Sequence, residues 1–231
     1  GLHKHPGLTF FAVDMHAPGF EIRPITQING GRGFNEVRFD GVRVPDSLRI
    51  DAVGAGWRVA ITTLMNERAS AGRRMGGGSM DLLDFARTLE PGGAPALSDA
   101  GVRQRVAAFY VRSRGVELTG LRIWSALSQG RMPGPEASLV KLVGVRLAQE
   151  IASYAIELQG TSGAIADEAC AAGEWQQRYL TTPGLRIAGG TDEVLRNIIA
   201  ERVLQLPPEV RADKGVPFRE VPSGPPRKSA P

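Results

Sequence analysis

Between residues 8 and 50 apolar and polar positions alternate in short runs, each closed by turn-forming residues. LTFFAVDM (8–15) reads as a strand and APG (17–19) as a turn. FEIRPI (20–25) reads as a second strand, with Phe20, Ile22 and Pro24 on the side opposite Glu21 and Arg23. GGRG (30–33) breaks the chain. FNEVRFDGVRVP then carries Phe34, Val37, Phe39, Val42 and Val44 around an Asp-Gly turn. About four strands result, too few to close a barrel or to cover themselves as a sandwich. The sheet is therefore expected to be completed by residues beyond this sequence or by another domain.

From residue 54 the spacing changes to three and four and stays so. GAGW (54–57) is a helix entry, and a first helix is expected to run to about Leu89, weakened by Gly76, Gly77 and Gly78. EPGGAPALS (90–98) is a loop, with Ser98 or Asp99 as N-cap of a second helix over 99–129. Val102, Val106, Phe109, Tyr110, Val116, Leu118, Leu121 and Trp124 form its apolar face. GRMPGP (130–135) precedes a third helix, 136–158, with Leu139, Val140, Leu142, Val143, Leu147, Ile151 and Ala155 pointing inward. After the link QGTSGAIADEA come a short helix over 174–180 and a last helix, which Thr191 or Asp192 caps and which ends near Leu206, before Pro207-Pro208. The predicted class is α+β, mainly α: a partial antiparallel β-domain (1–52), an antiparallel four-helix bundle (53–206) and an extended or disordered tail (207–231).

Composition narrows the function classes. An apolar fraction of 42% and a charged fraction of 23% over 231 residues are those of an ordinary globular protein. No apolar run reaches the length of a membrane span, and no secretory signal pattern opens the sequence. The net charge is only +4, and the arginines are interspersed with glutamates, not gathered into one stripe, which argues against nucleic-acid binding. One cysteine, Cys170, excludes an internal disulfide and fits a reducing cytoplasm. His3, His5 and His16 lack cysteine or carboxylate companions at ligand spacing and read as surface histidines, so no metal site is expected. The sequence begins at Gly1 inside strand-like residues, as expected of a fragment.

One position on the first predicted helix stands out. Ala60, Leu64, Glu67, Ala71 and Met75 fall along one side, apolar except for Glu67. The neighbours of Glu67 at three and four residues, Thr63, Leu64, Ser70 and Ala71, offer no cation, and Arg68 points elsewhere. A carboxylate buried on such a seam acquires a raised pKa and can act as a base, whereas one facing water is an ordinary surface glutamate. Spacing leaves both open.

The order of motifs carries more. KHPGLTFFAVDMHAPGFEIRPI, GFNEVRFDGVRVP, GAGWRVAITTLMNERA, LQGTSGAI and IAGGTDEVLRNIIAERVLQLP, in that order, resemble the C-terminal portion of an acyl-CoA dehydrogenase over about residues 3–206. They match the second half of the middle β-domain, the strand pair closing it, the first bundle helix, the Gln-x-x-Gly segment and the closing helix. The resemblance implies FAD-dependent oxidation of an acyl-CoA thioester to the trans-2-enoyl-CoA, with reoxidation by an electron-transferring flavoprotein. A carboxylate removes the α-proton while the β-hydrogen leaves as hydride to the flavin. Most members carry that base just before the Gly-Thr of the closing segment, where this chain has Gly189. Isovaleryl- and long-chain members carry it on the first bundle helix before an arginine, which here is Glu67 before Arg68.

By the same resemblance Arg68 lies near the substrate, although a surface ion pair would also account for it. Thr191 and Glu193 match flavin-contacting positions, the second often glutamine, while Thr191 and Asp192 would equally be a helix cap with an acidic first turn. Gln159, Gly160 and Gly163 match the segment whose backbone meets the FAD pyrophosphate of a neighbouring subunit, or else a C-cap and turn. Two departures stand. Thr161-Ser162 replaces a common glycine pair, and no Arg-x-x-Phe-Gly motif occurs between Arg87 and Arg105. Family members form tetramers, so a homotetramer or a mixed tetramer with a sister subunit is expected. The alternatives are a non-catalytic subunit of a heteromeric dehydrogenase and an interaction bundle without flavin.

Overall fold

The structure, a computed structural model, describes residues 5–71, 78–131, 134–135, 137–165, 172–208, 213 and 215–221, with only the backbone of 65–71 and 172. Strand β1 (Phe10–Phe11) pairs antiparallel with β4 (Arg49–Ile50). Strands β2 (Phe20–Ile25) and β3 (Phe34–Phe39) form an antiparallel pair whose register runs from Phe20 opposite Phe39 to Ile25 opposite Phe34. Two expectations fail here. LTFFAVDM is a strand for only two residues, and Val42 and Val44 lie outside any strand. Both segments have strand-like composition, but a strand extends only as far as a neighbour takes up its backbone groups. Among the described residues only Arg49–Ile50 pairs with the first, and none with the second.

Six α-helices occur among the described residues: α1 (Gly56–Ala71), α2 (Ser79–Thr88), α3 (Ala100–Ser128), α4 (Ala137–Leu158), α5 (Ala172–Leu185) and α6 (Asp192–Ile198). The first expected helix is therefore two, because the chain leaves helical geometry at Gly78, whose φ is +126°. Asp99 caps α3, with Oδ1 accepting from the backbone N–H groups of Gly101 and Val102. Helix α5 runs well beyond the short helix expected and contains Pro183. That proline cannot donate to the carbonyl of Tyr179, and the hydroxyl of Thr182 donates to it instead at 3.3 Å. Helix α6 continues into one turn of i→i+5 geometry, Ile199–Val203, closed by the N–H of Leu204 on the carbonyl of Ile199. In the tail, Phe218–Glu220 form a 3₁₀ turn.

The chain divides into two compact units, one of Gly1–Thr26, Arg32–Met65 and Pro207–Pro231, the other of Gln27–Gly31 and Asn66–Leu206. In the first, His5 stacks on Trp57 with ring centroids 4.3 Å apart, so this histidine is half-buried against an aromatic face. In the second, α4 packs against α2, α3, α5 and α6. Leu82, Val106, Phe109, Val140, Leu147, Ile151, Ala155 and Trp175 form its core. The buried stripe of α3 is narrower than predicted: Val106, Phe109, Ser113 and Val116 are inside, while Tyr110, Leu118, Leu121 and Trp124 are exposed. Val143 of α4 is exposed as well. The molecule is thus mainly helical, with two small antiparallel strand pairs before a helical bundle, as the pattern predicted.

Phe109 is almost wholly enclosed and touches Tyr154 across the α3–α4 seam. Phe109→Ala is expected to cost about 3–5 kcal/mol, measured by urea unfolding followed by helical circular dichroism. Arg112 of α3 also binds Glu150 of α4. That guanidinium holds the carboxyl below its ordinary range, so the bridge contributes fully above that range and is lost as pH falls through the lowered value. Both partners are well exposed, so Glu150→Gln should cost less than about 1 kcal/mol at neutral pH. In thermal melts the difference from wild type should close on acidification.

Candidate functional site

Three segments of the helical unit hold the residues singled out from the sequence other than Glu67 and Arg68. The first is the turn between α5 and α6. Lys141, in the apolar run LVKLVGV of α4, is only 7% exposed. Its ammonium donates to the carbonyls of Gly190 at 2.6 Å and Arg186 at 3.2 Å, the two ends of that turn. The Arg186 side chain turns back, donating through Nε (2.9 Å) and Nη2 to Oδ2 of Asp192 and through Nη1 to Gln149 of α4. Asp192, the first residue of α6, is 3% exposed, and its Oδ1 has no hydrogen-bond partner among the described residues. Between these anchors Gly189 has φ +66°, with no atom within 4 Å of where a Cβ would stand. A non-glycine residue there would sit in the left-handed region at a cost of about 1 kcal/mol.

The second segment is the start of α6. Thr191 is its N-cap, with Oγ1 accepting from the N–H of Val194. The Glu193 carboxyl is held below its ordinary range, first by a hydrogen bond from its own backbone N–H and then by the Thr191 hydroxyl. The Thr191 side chain thus occupies the N–H group of Val194. The third segment follows α4. Gln159 donates through Nε2 to the carbonyl of Ala155 and accepts through Oε1 from Gln176. Buried Gln176, on α5, also donates to the carbonyls of Gly163 (2.9 Å) and Ile165 (3.3 Å). Gly163 lies so close to α4 that a Cβ would stand 2.5 Å from the carbonyl oxygen of Ile156, which requires glycine there.

Glu67 and Arg68 lie on the backbone of α1, and their side chains, like Met75 and Cys170, are outside the described residues. One turn earlier on the same side, Leu64 is 39% exposed and Ala60 half-buried. Among the described residues no group of three His, Cys, Asp or Glu lies close enough to hold a metal ion, and no helix is long and apolar enough to cross a membrane.

Residues 54–204, which include all three segments and α1, match the family described as "Acyl-CoA dehydrogenase, C-terminal domain". The chain belongs to the acyl-CoA dehydrogenase family. Among its relatives, acyl-CoA dehydrogenase FadE34 of Mycobacterium tuberculosis is 37% identical over 88% of this chain and 27% of its own length. Acyl-CoA dehydrogenase IpdE1 of the same organism is 34% identical over 91% of this chain and 54% of its own. The chain thus spans about half or less of these relatives. Of solved structures, the Tcur3481-Tcur3483 steroid acyl-CoA dehydrogenase superposes with a TM-score of 0.79 at 27% identity, over 90% of this chain and 54% of that one. The ChsE4-ChsE5 complex of M. tuberculosis gives 0.76 at 26% identity, over 89% and 55%.

An acyl-CoA dehydrogenase needs a segment that can lie against FAD. The chain after α4 fits: at Gly160 no atom stands within 4 Å of where a Cβ would be, and buried Oε1 of Gln176 has no hydrogen-bond partner among the described residues. The start of α6 fits less simply, because the Thr191 hydroxyl oxygen already accepts from the N–H of Val194. The sequence pattern did not single out Lys141, Arg186 or Gln176, and it marked Asp192 only as a possible helix cap. The one available signal was the cation Lys141 inside the apolar run LVKLVGV of α4.

Because Asp192 is buried and Arg186 partly exposed, removing the arginine strands a carboxylate. Arg186→Met is therefore expected to cost about 3 kcal/mol, the low end for breaking such a pair. Asp192→Asn should cost less, and urea unfolding of the two variants side by side tests the order.

Proposed function

We propose that this chain corresponds to the C-terminal part of an FAD-dependent acyl-CoA dehydrogenase that oxidises an acyl-CoA thioester to the trans-2-enoyl-CoA. The observation that carries the assignment is a complementary pair of positions. Gly189, left-handed at the tip of its turn, stands where most members carry the base, and Glu67 followed by Arg68 stands on α1 where the others carry it. FAD, when bound, takes up the hydride from the β-carbon. Glu67 removes the α-proton, and Arg68 lies along the substrate. Closing of the site by the acyl chain supplies the water-free surroundings in which a carboxylate is basic enough for that work. The main chain of Gln159, Gly160 and Gly163 lies along the cofactor, as do Thr191 and Glu193. Residues 1–52 then belong to the middle β-domain, 53–206 to the helical domain, and 207–231 to a tail. The partners are an electron-transferring flavoprotein and further subunits in a homotetramer or heterotetramer, in the cytoplasm.

A second assignment has specific support. Two of the similar structures bear paired names, Tcur3481-Tcur3483 and the ChsE4-ChsE5 complex. This chain would then be a subunit whose partner carries the complete site.

Anaerobic titration of the full-length protein with a panel of acyl-CoA thioesters, alone and with a co-expressed sister subunit, separates the two. Bleaching of the flavin band by the protein alone supports the first, and bleaching only in the mixed complex supports the second. Glu67→Gln should keep FAD bound and abolish bleaching by substrate. Bleaching that persists in that variant removes Glu67 as the base.

A further inference from the structure

We infer that Lys141 is a positioning residue, whose buried ammonium fixes the turn from Arg186 to Gly190 and thereby the place of Gly189 and Thr191 beside the flavin. The inference rests on the assignment above for the flavin, while the grip on the turn is independent of it.

Three observations support it. Lys141 spends its ammonium on main-chain carbonyls at both ends of the turn, 45 and 49 residues away. A lysine so enclosed needs such acceptors for its charge, so ammonium and turn hold each other in place. The turn ties its first half back to the end of α5, through the N–H groups of Arg186, Ile187 and Ala188 on the carbonyls of Pro183 and Gly184. It holds two glycines with positive φ, Gly189 and Gly190, and follows a helix that Pro183 weakens near its end. A further tie, Arg186 to Asp192 and Gln149, fixes the side chain of the first residue, while the carbonyl of Gly190 accepts from Lys141. Thr191 follows that carbonyl directly and opens α6. Releasing Gly190 therefore frees the N-cap of the helix that carries Thr191 and Glu193.

The test uses the full-length flavin-loaded protein with Lys141→Met, which keeps the stem and removes the donors, and Lys141→Gln, which keeps an N–H donor in similar space. Amide hydrogen exchange and the visible flavin spectrum are measured together with the dissociation constant for FAD. The expected result for Lys141→Met is exchange about tenfold faster or more at residues 187–194, with Phe109 and Leu147 still protected. It comes with a shifted flavin band and weaker FAD binding. Lys141→Gln should fall between this variant and wild type, and it carries the test by itself if the methionine variant does not fold. Unchanged exchange at the turn overturns the inference. Faster exchange with an unaltered flavin band and FAD affinity also overturns it, leaving Lys141 a purely structural residue and the dehydrogenase assignment intact. A wild-type full-length protein that binds no FAD overturns both.

Discussion

The helical unit depends on a single constraint, that α4 must face four other helices at once. A helix with one partner needs an apolar stripe on one side, whereas one packed against α2, α3, α5 and α6 must be apolar around most of its girth. Buried Val140, Val145, Leu147, Ile151, Ala152 and Ala155 meet that demand. Small residues such as Gly144 and Ala155 let neighbouring backbones approach. Tyr110, Leu118 and Leu121 of α3 stay outside because α3 leans on its neighbours along one side only. Into this apolar setting α4 admits one cation, Lys141, which is tolerated because the carbonyls of the next connection turn toward it.

Two of the segments proposed above to meet the flavin share one manner of support. Each is an irregular stretch leaving a helix, and in each a buried donor from another helix takes up carbonyls that the helical ladder no longer serves. Lys141 of α4 serves Arg186 and Gly190, and Gln176 of α5 serves Gly163 and Ile165. Connections held from inside are fixed in shape without becoming regular, which suits surfaces that must meet a rigid planar cofactor.

Much of the helical framework was legible because its signals are local. Asp99 announces α3 by its cap, the apolar run from Leu139 announces α4, and Thr191 opens α6. The strands were less legible because a strand needs a partner, and partner choice is not written in the strand itself. Val42 and Val44 have the composition of a strand and lack one. The break at Gly78 was anticipated only as a weakness. The polar clasp around Arg186 was hard to see for a different reason: its members lie up to 49 residues apart, and each except Lys141, taken alone, resembles an ordinary surface residue. Of the site itself, the pairing of Glu67 with Gly189 could be read only by resemblance, since spacing gave Glu67 no environment.

The i→i+5 turn at Ile199–Val203 has its own consequence. Such a turn accommodates one residue more than regular α geometry and swings everything after it by roughly a third of a circle. Leu204 and Leu206, both exposed, therefore occupy directions that a regular continuation of α6 would give to their neighbours. A family member whose closing helix is regular throughout will superpose on this chain beyond Val203 only if one residue is skipped. The helix does not outlast that turn: Gln205 takes a φ of +54°, and the chain leaves helical geometry before Pro207.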